Sequence, residues 1–489
     1  MSKKKSEHSI MENLDDEEKT IERTNKNIVL ITIFFVILFL ALICYLFYFT
    51  AFRSESFINN SYNSKRTELI AKRIVRGSVL SRNGEVLART VIKNNEEIRE
   101  YPYGRLFAHA VGFSSQGSIG VESIAGFTML TSNDPVMLRL RNDIKGIKNN
   151  GNDVVTTLDV GLQKCAYEAM GSNKGAVVVM NAKTGEILAM VSKPDFDPSD
   201  VVKLQESIDS GDKDTPFVNR ATLGLYPPGS TFKIVTVLEY IREHPSYEDY
   251  EYECNGRFEN EDVKISCYHE QKHGNLDLKS SFAESCNSSF ANITSKLDTK
   301  KFNDTCKQLL FNSKLPCPFS YKESIVDIGR NTKKSEIIQA GIGQGKTMVT
   351  PMHMAMITSA IANEGVLVKP YIIDSVKSSK GYTVREYTEK EYKRLITKEE
   401  SDILKEFMTE VINSGTGTKL KGTQGYDVAG KTGSAEFSED KKKSHAWFTG
   451  FAPVDEPQIV VTVLAEESGT GGEVAAPIAG KIFEEWFKR

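Results

Sequence analysis

This sequence lacks a charge excess of either sign. Its 62 Lys and Arg stand against 65 Asp and Glu, a formal net charge of -3, with the two signs interspersed. No strongly basic field is present, which sets nucleic acid aside as a partner. A dense cysteine framework is also missing. Cys44, Cys165, Cys254, Cys267, Cys286, Cys306 and Cys317 are spread over 489 residues, too sparsely for a small disulfide-built domain. No repeat with a period of roughly 20 to 50 residues is visible, which excludes solenoids and propellers. What remains is length for about two or three domains, with ample sequence for a large core.

One long apolar run interrupts the mixed composition. Ile28 through Thr50 carries no charge, and its 23 residues at 1.5 Å each give ~34 Å, enough to cross a bilayer. A cleaved signal peptide would be shorter and end at a small-residue site, which Phe52-Arg53-Ser54 is not. Residues 28–50 are therefore expected to be a transmembrane helix in a cell membrane. Residues 1–27, polar and charged, read as a disordered cytoplasmic tail. Lys3, Lys4, Lys5, Lys19, Arg23 and Lys26 precede the run, and Arg53, Lys65 and Arg66 follow it. The bias leans toward a cytoplasmic N-terminus.

Residues 51–153 read as a modest pedestal. Within it, Arg76 to Ala88 spell strand, Asn83-Gly84 turn, strand. From 154 to 489 the texture is that of one larger domain. Val154–Leu158 is a strand, and Asp159 caps a helix to about Met170. Gly175–Met180 and Glu186–Val191 are strands joined by a turn. Helical stretches then alternate with loops, ahead of closing strands near 427–437, 445–452 and 458–467. A last amphipathic helix covers 474–488. The pattern predicts an α+β (mixed) fold: an antiparallel sheet flanked by helices, beside an all-helical subdomain.

The chemistry centres on Tyr226-Pro227-Pro228-Gly229-Ser230-Thr231-Phe232-Lys233 and the apolar run Ile234–Leu238. The prolines and glycine stop one element and introduce a helix. Ser230 falls at its start, and Lys233 one turn on, along the same face. Helix-start N–H groups suit an oxyanion, and burial pushes a lysine toward the neutral form that accepts a proton. Ser-x-x-Lys alone is weak evidence, because Ser2-Lys3-Lys4-Lys5 matches it in the charged tail. Two further motifs follow in order: Ser285-Cys286-Asn287 in a helix-to-loop region, and Lys431-Thr432-Gly433-Ser434 on a strand. The trio is shared by penicillin-binding proteins and class A β-lactamases. Lys183-Thr184-Gly185 is a decoy in a hairpin turn. Gly341-Ile342-Gly343-Gln344-Gly345-Lys346-Thr347 fails as a phosphate loop, because Ala340 stands where its first glycine belongs.

The chain resembles a class B penicillin-binding protein, a membrane-anchored peptidoglycan D,D-transpeptidase. Besides the trio, the resemblance rests on Arg76-Gly77 and Gly84…Leu87-Ala88, Tyr103-Gly104…His109-Ala110-Val111-Gly112, and Gly120-Val121-Glu122. It also rests on Gly341–Gly345 with Val349-Thr350-Pro351, and on His445–Pro453, covering about residues 70–489. Ser81 departs from it, at a position where aspartate is usual. The resemblance implies a catalytic set of Ser230, Lys233, Ser285, Asn287 and Lys431, with Thr432, Gly433 and Ser434 binding substrate. Ser230 would attack the bond between two terminal D-alanines of a stem peptide. Lys233 would be the base, kept neutral partly by Lys431. Ser285 would relay the proton, Asn287 would hold Lys233 and the substrate, and the Ser230 and Ser434 N–H groups would form the oxyanion hole. Lys431 and Thr432 would take the substrate carboxylate. β-Lactams would acylate the same serine, no cofactor would be needed, and a polytopic glycan polymerase is the expected partner.

Alternatives share these residues. A carboxypeptidase or β-lactamase would use the same serine, although no Glu-x-x-Leu-Asn motif follows Ser285-x-Asn287. A scaffold or β-lactam sensor would need no turnover. Separately, Cys254, Cys267, His273 and Cys286 suit a tetrahedral zinc ion, with His269 as an alternative ligand. A Cys254–Cys267 disulfide, or unlinked thiols, are the other readings, and Cys306 and Cys317 are a further possible pair.

Overall fold

The computed structural model describes residues 2–49, 69–94, 96–115, 117–201, 215–260, 263–422, 425–436 and 444–488. Met1–Asn63 and Ser64–Arg489 form separate compact units.

Among the described residues, the first unit holds one helix, α1 (Ser2–Tyr48). Its stretch Arg23–Tyr48, 26 residues, has a most apolar window of mean hydropathy 3.2. The large apolar side chains from Ile28 to Tyr48 are exposed, as a lipid-facing helix requires. The helix starts well before residue 28, which corrects the expectation of a disordered tail. No proline or glycine interrupts the first 48 residues, so nothing local stops the helix running through the polar stretch. Thr50, the expected end of the span, lies outside the described residues.

In the second unit, the expected hairpin forms. β1 (Val79–Leu80) pairs antiparallel with β2 (Val86–Lys93) around Gly84 at φ 89°. Ser81 does the turn work itself. Its Oγ accepts the Asn83 and Glu85 N–H groups at 3.2 and 3.1 Å and bonds the Glu85 carboxylate. β2 continues into β3 (Glu96–Glu100). α2 (Val136–Ile144) and β4 (Asp153–Thr156) complete the N-terminal part. Glu122, fully buried, holds Arg76 and Arg99 at 2.7 Å each, which explains why Arg76 and Gly120-Val121-Glu122 appear together. A later hairpin joins this sheet. Ile373–Lys377 pairs antiparallel with β4, so a six-stranded sheet crosses the expected boundary at 153.

The main sheet has five antiparallel strands. Their order is 429–436, 444–452, 459–465, 175–181, 187–193. In chain order they are β5 (Gly175–Asn181), β6 (Ile187–Lys193), β7 (Ala429–Glu436), β8 (Ser444–Ala452) and β9 (Ile459–Ala465). Every residue of β8 and β9 is buried. Successive side chains point to opposite faces, so both faces must be covered. Phe448 meets Phe483 of the C-terminal helix Ala476–Phe487 edge-on, and neighbouring Thr449 bonds Thr358 of helix Pro351–Ala362 at 2.6 Å. All twelve residues of Pro351–Ala362 are buried, which explains its apolar composition all round. Asp159 caps helix Val160–Met170 by accepting the Leu162 N–H.

Three helices carry the chemistry: α3 (Lys233–Glu243), α4 (Leu278–Ala283) and α5 (Asn287–Lys296). The segment 341–347 follows helix Lys334–Gly341 instead of a strand, so it has no phosphate-loop context. All seven cysteines are free, so neither Cys254–Cys267 nor Cys306–Cys317 is a disulfide.

Candidate active site

Ser230 sits in a 3-10 turn, Gly229–Phe232, that runs straight into α3. The first N–H groups of a helix have no carbonyl behind them, so the turn offers donors beside the hydroxyl. The turn is pinned from three sides. Gly229 N–H donates to Gly343 O at 2.9 Å, Trp447 Nε1 donates to Pro227 O at 3.0 Å, and Tyr226 exchanges two backbone bonds with Val349. A Cβ on Gly343 would stand 1.9 Å from Gly229 O. The Gly-Ile-Gly-Gln-Gly stretch is thus a buttress under the nucleophile.

Lys233 opens α3, and residues 233–241 are all buried. Its Nζ donates to Ser285 O at 2.6 Å and Asn287 Oδ1 at 2.7 Å, and lies 3.3 Å from Ser285 Oγ. Burial lowers its pKa to about 8. Ser285 bridges α4 and α5 at φ 56°, a left-handed conformation costly for a non-glycine residue. Bonds from Ser285 N to Phe282 O and from Cys286 N to Ser281 O hold it there.

Lys431 reaches Ser285 from the other side, from β7. Its Nζ lies 2.9 Å from Ser285 Oγ and 3.1 Å from Thr432 O. Burial, and then the charge of Lys233, hold Lys431 well below the usual lysine range. Both lysines are thus lowered chiefly by burial. Lys431 is fully buried, and its amine lies directly against Ser285, which lines the cavity.

The cavity measures about 360 Å³, within the usual size for a ligand site. Ser230, Ser285, Asn287, Thr432, Gly433 and Ser434 line it, together with Thr416, Thr418, Lys419, Thr470 and Glu473. Thr416 and Thr432 hydroxyls meet at 2.5 Å. Motif reading missed the second group, because Thr416 to Lys419 carry no signature of their own. Among the described residues, Lys419 is the lysine facing the cavity. β7 passes directly against the nucleophile turn. A Cβ on Gly433 would be 3.0 Å from Pro228 O, and one on Gly229 would be 2.8 Å from Ser434 O. Gly433 is therefore needed for contact with the protein's own turn, besides any strand-like approach of substrate.

Behind the Ser285 loop lie Cys254, Cys267, His273 and Cys286, whose donor atoms are all within 4.8 Å of one another. Cys254 Sγ is 3.8 Å from Cys267 Sγ and 3.3 Å from His273 Nδ1, and Cys267 Sγ is 3.7 Å from Cys286 Sγ. Zinc bonded to sulfur at ~2.3 Å in a tetrahedron requires S–S edges of ~3.8 Å. His269 is outside the group. The Ser288 and Ser289 N–H groups point at Cys267 and Cys286 sulfurs, at 3.5 and 3.4 Å. Cys286 also accepts at the start of α5 as its N-cap.

Fold and site together define a serine acyltransferase, with two buried lysines, Lys233 and Lys431, within 3.3 Å of the Ser285 hydroxyl. Residues 175–484 match the penicillin binding protein transpeptidase domain, and residues 76–154 match the penicillin binding protein A dimerisation domain. The chain belongs to the penicillin-binding protein transpeptidase family. It is 29% identical over 451 residues to a peptidoglycan D,D-transpeptidase MrdA of Acinetobacter baumannii, covering 79% of this chain and 66% of that one. It is 28% identical over 457 residues to a peptidoglycan D,D-transpeptidase PbpA of Mycolicibacterium smegmatis, covering 87% and 90%. Among solved structures, penicillin-binding protein A from M. tuberculosis as a ceftriaxone acyl-enzyme superposes with TM-score 0.78 at 26% identity, covering 85% of this chain and 99% of that one. A D,D-transpeptidase domain from Eggerthella lenta superposes with TM-score 0.76 at 30% identity, with the same coverages of 85% and 99%.

Proposed function

We propose that Ser230 is the acylated nucleophile and that Lys233, Ser285 and Lys431 move its proton. The chain is a serine-type peptidoglycan D,D-transpeptidase that binds β-lactams, and the chemistry needs no cofactor. The observation that carries the residue roles is the Lys233–Ser285–Lys431 line of contacts at 3.3 and 2.9 Å beside the cavity. A neutral lysine has two N–H donors and one lone pair. The short bonds from Lys233 to Ser285 O and Asn287 Oδ1 use both donors, which leaves the lone pair for the Ser230 proton. Oγ then bonds the carbonyl carbon of the penultimate D-alanine. Ser230 and Ser434 N–H groups receive the oxyanion, each such donor lowering the barrier by ~2.7–4 kcal/mol. The C–N bond breaks, and the leaving amine takes its proton through Ser285. An amine from a neighbouring stem peptide resolves the ester and forms the cross-link. Thr432, with Thr416 and Lys419, takes the terminal carboxylate.

Intact-mass analysis of the full chain with benzylpenicillin tests this reading. The expected result is a gain of one penicillin that is absent in Ser230→Ala and lasts for hours. Fast penicillin turnover would point to a hydrolase, and no adduct on folded protein would point to a scaffold.

The Cys254, Cys267, His273 and Cys286 cluster is read as a structural zinc site. The ion would tie the strand bearing Cys254 to the N-cap of α5 and so fix the loop of Ser285 and Asn287. Protein purified without chelator should carry close to one zinc, and its absence would sink this reading. The α1 span is read as a single-pass anchor, with residues 1–27 cytoplasmic and the transpeptidase region 154–489 outside the cell, where stem peptides lie. The pedestal, residues 51–153, then faces a polytopic glycan polymerase. Protease accessibility in spheroplasts tests the orientation, and crosslinking from the pedestal tests the partner.

A further inference from the structure

α2 is built inside out. At 100° per residue, Val136, Leu140, Ile144 and Met137 fall on one stripe about 100° wide. Such a stripe normally faces a core, yet these four side chains are 60, 50, 85 and 79% exposed. Ile147, just past the helix, is 54% exposed. Isolated exposed apolar residues need no explanation, but a continuous stripe does. Arg141 and Lys145 are exposed beside it, with Asp143 on the other edge. An apolar stripe with basic residues along one edge suits a helix lying in a membrane interface.

The position of α2 in the chain identifies the occupant. Where the description resumes at Leu69, the chain is fastened to the end of this helix. Lys148 Nζ donates to Ala71 O at 2.8 Å, Asn149 N–H donates to Arg73 O at 3.1 Å, and Ile74–Val75 pairs with Asn149–Asn150. The 20 residues 49–68 separate this point from the end of the apolar span. A chain of that length reaches no more than ~70 Å even fully extended. The helix is thus tethered within reach of the bilayer surface by its own chain.

We infer that the Val136–Ile144 helix docks its apolar stripe into the interface of the bilayer that anchors the chain, favouring anionic lipid. The contact would hold the pedestal at the membrane. This rests on the anchor reading, which recovery of the full chain in nanodiscs tests by itself.

The test uses the full chain carrying Ile144→Trp, in nanodiscs of phosphatidylglycerol and phosphatidylcholine, with or without brominated acyl chains. Emission in excess of the parent protein should be blue-shifted and about two-fold quenched by the bromolipid, as for a side chain below the headgroups. Adding Val136→Glu and Leu140→Glu should remove the quenching while penicillin acylation, the control for folding, stays intact. A red-shifted, unquenched signal would mean the stripe remains in water. A blue-shifted but unquenched signal would mean that protein covers it, either residues 50–68 or a second copy. Either result overturns the inference.

Discussion

Asn287→Asp places a carboxylate where an amide oxygen now lies 2.7 Å from Lys233 Nζ. The side chain keeps its shape, so the change is chiefly one of charge. Lys233 has a pKa of about 8, against an ordinary 10.5, because it is buried. At pH 7 about one tenth of it is neutral, roughly 300-fold more than for an ordinary lysine. With neutral Lys233 as the proposed base, acylation of the parent should rise about ten-fold from pH 7 to 9.5 and level off. A carboxylate in contact favours the charged amine and typically raises such a pKa by ~1–3. The neutral fraction at pH 7 then falls ~10- to 1,000-fold, and the acylation rate falls with it. The midpoint of the pH–rate profile should move from about 8 to between ~9 and 11. Time-resolved labelling with a fluorescent penicillin from pH 6 to 10 reads the rate directly, and a rate still rising at pH 10 marks the shifted midpoint. A variant that slows but keeps its midpoint near that of the parent would refute Lys233 as the titrating base. Equal rates at pH 7 would refute the reasoning altogether.

Other consequences follow from packing. Gly343→Ala would push a methyl into Gly229 O, which lies 1.9 Å from the Cβ position, and its φ of 75° disfavours any side chain. A displaced Ser230 should cost about 100-fold in acylation with an unchanged circular dichroism spectrum; a fully active variant would show that the buttress is dispensable. Glu122→Gln removes the charge shared by Arg76 and Arg99. Urea unfolding should register a loss of roughly 3–5 kcal/mol, and a loss below about 0.5 kcal/mol, the range of a surface substitution, would contradict the buried-triad account. Lys183→Ala, in the hairpin turn that also spells Lys-Thr-Gly, should leave penicillin labelling unchanged. Any large loss there would reopen the choice between the two Lys-Thr-Gly motifs.

Local rules carried much of the argument. Proline-proline-glycine before an apolar run marked the start of the nucleophile helix, because backbone constraints act within a few residues. Asp159 was legible as a cap for the same reason. The Ser230, Ser285 and Lys431 motifs were readable because each keeps its own short spacing. What lay out of reach depends on distant segments meeting. Gly341–Gly345 reads as a failed phosphate loop until Gly343 is seen beneath Gly229, 114 positions earlier in the chain. Lys431 carries its own short motif, but only the fold buries it and sets its amine 2.9 Å from the Ser285 hydroxyl.

The sequence by itself determined the apolar span, the sheet-and-helix class, the Ser230–Lys233 motif at a helix start, and the four cysteine and histidine donors. Periodicity, turn chemistry and residue type are properties of short stretches. Only the tertiary structure decided that Lys233 sits near pKa 8 and Lys431 well below its usual range, since desolvation depends on what packs around an amine. It alone brought Thr416 and Lys419 to the cavity wall, joined 373–377 to the N-terminal sheet, and turned the apolar stripe of the 136–144 helix outward. Each of these is a contact, or a missing one, between segments that the chain order keeps apart.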